Sequence, residues 1–217
     1  MVLKTIMTSI KICGIRTPDI LSVAASAGAR FAGFVFVPPS PRYIHPEQAR
    51  LLSRQLPTGL RSVGLFMNPT DDELAHILGS VSVDFIQLHG DESPSRVQEI
   101  KSRFHIPVIK AFAISTASDI DMVGPYIPLI DWILFDAKAP SSSSISGGNG
   151  VAFDWTILKG QRFAKPWMLS GGLNPDNIAE ALTILSPDAV DVSSGVERER
   201  GVKDAQKIRD FCAAIRT

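Results

Sequence analysis

Cysteine and histidine are scarce in this 217-residue chain, and neither sign of charge is in excess. The two cysteines, Cys13 and Cys212, sit near opposite ends with no C-x-x-C spacing, which excludes a disulfide framework and argues against a zinc site. No H-x-x-x-H pair occurs among the four histidines, so no metal is expected. Lys plus Arg equals Asp plus Glu, at 22 each, which leaves no global basic field to hold nucleic acid or an anionic membrane. Long apolar runs are missing too: none reaches the roughly 18 residues that span a bilayer, and MVLKTIMTSIKICG is no secretory leader. The expectation is a soluble protein of a reducing compartment, the cytoplasm, without membrane or nucleic-acid partners.

What the chain does have is rhythm. Apolar runs of strand length alternate with stretches of helical period to the end. IKIC, FAGFVF, SVGLF, DFIQL, PVIKAF, DWILFD, PWMLSG and AVDVSS read as strands. Residues 18–28, 46–56, 70–78, 94–103, 118–123, 154–159, 175–185 and 204–215 read as helices. Thr17-Pro18-Asp19 and Asn174-Pro175-Asp176 each put a polar N-cap before Pro at the first helical position. Eight such βα units point to an α/β protein with a parallel sheet, closed as a (β/α)8 barrel in one domain spanning 1–217. The rival, an open doubly wound sheet, would carry G-x-G-x-x-G after its first strand, and none is there. The Ser/Gly-rich KAPSSSSISGGNG over 138–150 interrupts no rhythm on either side, so it reads as an active-site loop rather than a linker.

A barrel of this kind carries its site at the C-terminal ends of its strands. Polar residues there are Cys13, the Ser40-Pro41-Arg42 turn, Asn68, Gln87 through Asp91, Asp136, Gly171-Gly172 and Ser193-Ser194-Gly195, with Lys110 inside the fifth strand. Alternation turns Lys11, Cys13, Asp191 and Ser193 into the barrel, and a buried ammonium needs a partner, for which Asp191 on the closing strand is the candidate. Gly14 is read as clearing room beside Cys13. The glycine turns SGGLNPDN and SSGVE, on consecutive strands, suit a phosphate held by backbone N–H groups, so the expected partner is a small phosphorylated molecule. Cys13 and Asp136, at the ends of strands one and six, form a possible acid–base pair. Cys212 reads as core, His45 and His76 as surface, and His105 as part of a helix-to-strand turn.

In order and spacing, KICGIRT, GFVFVPPSPRYI, VGLF, IQLHGDE, FDAKAP with GGNGVAFDW, LSGGLNPDN and VDVSSGVE…GVKD resemble the phosphoribosylanthranilate isomerases of tryptophan biosynthesis, from Lys11 to about Phe211. The resemblance implies a (β/α)8 barrel catalysing an Amadori rearrangement without cofactor or metal, as a monomer or homodimer. It implies Cys13 as general base, Asp136 as general acid, Arg42 on the anthranilate carboxylate, and Gly171, Gly172, Ser194 and Gly195 on the phosphate. Asn149 and Arg200 depart from the family's usual Thr or Ser and Pro. A histidine-biosynthetic isomerase on the same fold resembles this chemistry with two aspartates, which the cysteine at strand one argues against. A catalytically silent scaffold barrel is the remaining alternative. Lys11, two residues before Cys13 on the same face, is expected to lower the thiol's pKa.

Overall fold

The computed structural model of the chain describes residues 8–137 and 154–216. Each expected strand forms: β1 (Ser9–Cys13), β2 (Phe31–Val35), β3 (Arg61–Phe66), β4 (Phe85–Leu88), β5 (Val108–Ile114), β6 (Trp132–Ala137), β7 (Trp167–Leu169) and β8 (Ala189–Val192). All neighbours pair in parallel, and β8 closes on β1 with Lys11 opposite Asp191, completing the barrel in the order β1 to β8.

Two apolar layers follow from strand alternation. Inward, Phe31, Val63, Phe85, Ile109, Leu134, Met168 and Ala189 pack as an interior layer, with Phe31 edge-on to Phe85 and to Trp132. Outward, Ile10, Ile12, Phe34, Ile86, Val108, Ile133, Phe135 and Val190 meet the apolar stripes of the helices. At about 1.5–3 kcal/mol per fully buried large aliphatic or aromatic side chain, this outer shell dominates the favourable side of folding.

The helices begin where the cap chemistry says they should. Thr17 accepts from Ile20 N–H to open α1 (Pro18–Ser26), and α2 (Pro46–Arg54) starts at its proline. Thr70 and Glu73 form a reciprocal capping box on α3 (Asp71–Leu78), Ser93 caps α4 (Pro94–Phe104), and Asp204 caps α6 (Ala205–Ala214). Three expectations change. The fifth helix, expected over 118–123, is instead a 3-10 segment, Ala117–Tyr126, with Pro125 in its last turn. The sixth is a single 3-10 turn, Trp155–Leu158. Asn174 does not cap a helix: its side chain accepts from the N–H of Asp176 and Asn177, making a turn that delays α5 to Ile178–Ile184.

An unexpected two-stranded hairpin, β9 (Glu197–Glu199) and β10 (Val202–Lys203), follows β8 on the C-terminal side of the barrel. Cys212 is buried in the outer core, as expected, and its thiol is pushed up to about 11 by burial. His105 ends α4 in the left-handed conformation. The loop expected over 138–150, with Asn149, lies outside the described residues.

Candidate active site

β1 delivers Cys13 to the mouth of the barrel, buried with Val35 and Leu65. Gly33, its register partner on β2, is what makes room for it: a methyl there would stand 2.9 Å from the Cys13 sulfur. Gly14 has another task, since a Cβ on it would press on the Arg42 side chain at 3.1 Å. The room expected beside Cys13 is thus made by Gly33, and Gly14 admits Arg42.

Beneath the thiol, Lys11 is fully buried and its ammonium lies 2.9 Å from Asp191, the expected pair. Burial works against the Lys11 charge, but Asp191 and Cys13 outweigh it and raise its pKa. For Cys13 the balance falls the other way. Burial pushes the thiol up; Lys11 and Lys203 pull it down without overcoming that push. The expected lowering by Lys11 is real as a contribution, and desolvation wins.

Lys203, on β10, was assigned no role from the sequence. Its ammonium is 2.6 Å from Glu197, 3.1 Å from the Ser193 carbonyl and 3.2 Å from the Ser193 hydroxyl, which itself donates to the Cys13 carbonyl. Burial lowers the Lys203 pKa against the opposing pull of Glu197. Glu197 also takes a two-point contact from Arg42, at 2.7 and 2.9 Å. The hairpin therefore holds Arg42 over the mouth while placing a second cation near the thiol.

Further round the barrel, β6 carries Asp136 one residue before its end, three strands from β1 by way of β7 and β8. Its Oδ1 accepts from Ala137 N–H, and its Oδ2 is 3.1 Å from His89 Nε2. His89 Nδ1 in turn faces the Gln87 amide nitrogen at 2.9 Å. Gln87, Leu88 and His89 alternate, so the inward direction of Gln87 and His89 was available from strand period; their meeting with β6 was not. Lys110 points to the other face, pairing with Glu92 at 3.1 Å and donating to the Gly90 carbonyl. Asn68 accepts from Asp91 N–H, and Glu92 accepts from the Asn68 and Gly90 N–H groups. Lys110 and Asn68 thus order the loop after β4.

The loops after β7 and β8 touch. Gly171 and Gly172 both have positive φ, and a Cβ on Gly195 would run into the Leu173 carbonyl, so neither loop accommodates a larger residue without shifting. Ser194 and Gly195 begin a short 3-10 turn beside them. Among the described residues, no group of three or more His, Cys, Asp or Glu is placed to hold a metal ion, and no helix is long and apolar enough to cross a membrane.

A closed (β/α)8 barrel with its buried polar groups gathered at the C-terminal mouth has the architecture of a barrel enzyme. Within that class the comparisons are specific. Residues 10–214 match the family described as N-(5'phosphoribosyl)anthranilate (PRA) isomerase. An N-(5'-phosphoribosyl)anthranilate isomerase of Rhodospirillum centenum is 50% identical over 208 residues, covering 94% of this chain and 97% of that protein. The crystal structure of phosphoribosyl anthranilate isomerase from Thermotoga maritima superposes with a TM-score of 0.86 at 37% identity, covering 97% of this chain and 99% of that one. A second isomerase structure, in complex with reduced 1-(o-carboxyphenylamino)-1-deoxyribulose 5-phosphate, gives a TM-score of 0.83 at 36% identity, with the same coverage. The chain belongs to the N-(5'-phosphoribosyl)anthranilate isomerase family.

Proposed function

We propose that this chain, as one barrel domain over 1–217, converts N-(5'-phosphoribosyl)anthranilate into its 1'-deoxyribulose 5'-phosphate isomer in cytoplasmic tryptophan biosynthesis. The observation that carries the mechanism is the placing of Cys13 and Asp136, both buried, at the C-terminal ends of β1 and β6 in a chain of this family. Asp136 is the general acid: it gives its proton to the furanose ring oxygen as the C1'–oxygen bond breaks, leaving an iminium. Cys13, as thiolate, removes the C2' proton to give the enolamine, which tautomerises to the ketone. No cofactor takes part.

Arg42 binds the anthranilate carboxylate. Its Nε–Nη2 edge is occupied by Glu197, so the substrate meets the outer edge, Nη1 with the second Nη2 hydrogen. Gly171, Gly172, Ser194 and Gly195 hold the phosphate, where the paired loops let backbone approach closely. Lys11 and Lys203 temper the burial that keeps Cys13 protonated. The active unit is a monomer or homodimer.

The test is the loss of substrate fluorescence on conversion, for wild type, Cys13→Ala and Asp136→Asn. Each variant is expected to lose about 10²-fold or more in kcat. Inactive wild type would leave a scaffold role; wild-type activity surviving both substitutions would end the assignment of base and acid.

A further inference from the structure

We propose that His89, held by Gln87, supplies the proton of Asp136, so that the general acid is the His89–Asp136 pair and not a lone carboxyl. This rests on the assignment of Asp136 as acid. Three contacts carry it. The Gln87 amide nitrogen lies 2.9 Å from His89 Nδ1, His89 Nε2 lies 3.1 Å from Asp136 Oδ2, and Ala137 N–H holds Oδ1 at 3.0 Å. The fourth observation is an orphan: Gln87 is fully buried, and among the described residues its Oε1 makes no hydrogen bond. A buried carbonyl without a partner is costly, so its retention at this point needs a reason.

Two protonation states of the histidine provide one. With Gln87 N–H donating to Nδ1, His89 is neutral and its Nε2–H donates to an Asp136 carboxylate. With His89 as imidazolium, Nδ1–H needs an acceptor, and a half-turn of the Gln87 carboxamide presents Oε1 to it. One residue thereby serves both states, at the cost of one unpartnered amide atom in each.

The proton balance closes. The pair shares one ionisable proton: His89 imidazolium passes its Nε2 proton to the Asp136 carboxylate, and Asp136 gives it to the ring oxygen as the C1'–oxygen bond breaks, which leaves neutral His89 beside a carboxylate. His89 and Asp136 both line an open cavity of about 350 Å3, through which solvent returns a proton. The other charged or titratable groups lining that cavity are Asp91 on the loop of His89, Lys110 of β5 and Tyr126 of the 3-10 segment. Lys110 is paired with Glu92, and the Tyr126 hydroxyl donates to the Glu92 carbonyl. That leaves Asp136 as the hydrogen-bonded carboxylate partner of His89 among the described residues. His89 never touches substrate in this scheme; it is a positioning and proton-supplying residue.

The kcat–pH profile between pH 5.5 and 8.5 tests this. One break in the wild-type profile is expected to belong to the pair, and His89→Asn is expected to move it toward acid by at least one pH unit, because the acid is then a lone carboxyl. A break that stays in place, whatever the loss of turnover, overturns the proposal, since a structural loss lowers kcat by the same factor at every pH. Should His89→Asn not fold, 15N signals of the His89 ring in wild type and Asp136→Asn decide. The ring is expected to titrate with the kinetic break in wild type, and its midpoint to move acidward by a unit or more without the carboxylate. An unmoved midpoint refutes the pairing. If Asp136→Asn retains wild-type turnover, the acid assignment itself fails; if Asp136→Asn is inactive while His89→Asn leaves the break unmoved, only the present inference does.

Discussion

Replacing Glu197 with Gln should cost the fold more than any surface ion pair could. Four donors converge on this carboxylate: Arg42 Nε and Lys203 Nζ on Oε1, at 2.7 and 2.6 Å, and Arg42 Nη2 and the Gly201 N–H on Oε2, at 2.9 and 3.1 Å. Burial alone would raise the carboxyl; the Arg42 hydrogen bonds, the charge and hydrogen bond of Lys203 and the Gly201 amide outweigh it, holding the group down from 4.5 to about 2. At about 1.36 kcal/mol per pH unit, that depression corresponds to ~3 kcal/mol. The folded value lies below the unfolded one, so the stabilisation is complete above about pH 4.5 and drains away as pH falls toward 2. Gln keeps one acceptor oxygen, turns amide hydrogens toward the donors, and leaves Arg42 and Lys203 as two buried cations without their anion.

Glu197→Gln is therefore expected to unfold in urea at pH 7 with about 3–5 kcal/mol less stability than wild type. The gap between the two proteins should narrow from pH 5 to pH 3, as the carboxyl of the unfolded wild-type chain gains its proton while the folded carboxylate keeps its charge. A loss below about 1 kcal/mol, the range of exposed pairs, would refute this reasoning. So would a gap that is independent of pH over that interval.

Lys11→Met, made in a Cys212→Ala background so that a single thiol reports, should raise the pH midpoint of Cys13 alkylation, because Lys11 opposes the burial that keeps the thiol protonated; an unmoved midpoint would show that the ammonium does not act on it. Gly195→Ala drives a methyl toward the Leu173 carbonyl and pries apart the loops after β7 and β8, so KM should rise about tenfold or more with kcat within about threefold. A fall in kcat at constant KM would remove those loops from substrate binding.

The line between what local chemistry determines and what assembly determines runs through individual residues. Period-two alternation in IKIC and AVDVSS places Lys11, Cys13 and Asp191 on one face, and β1–β8 pairing brings Lys11 opposite Asp191 as expected. Helix starts at Thr17, Thr70, Ser93 and Asp204 follow from side chains two or three residues away. Asn174-Pro175-Asp176 failed as a helix cap because the same Asn oxygen satisfies a turn equally well. The helix expected over 118–123 formed as 3-10 turns.

Strand order, the inward cysteine, the glycine turns and the family motifs are all written within windows of a few residues, because they depend on backbone conformation and on spacing along the chain. The direction of the Cys13 pKa, the capture of Arg42 by Glu197 and the contact of His89 with Asp136 were decided by closure of the barrel. Arg42 and Glu197 are 155 positions apart, and His89 and Asp136 are 47 apart. No local pattern encodes such distances. Burial depth and the sum of charges around a thiol exist only once eight strands enclose a common interior, and there desolvation exceeds the pull of Lys11 that the sequence made visible.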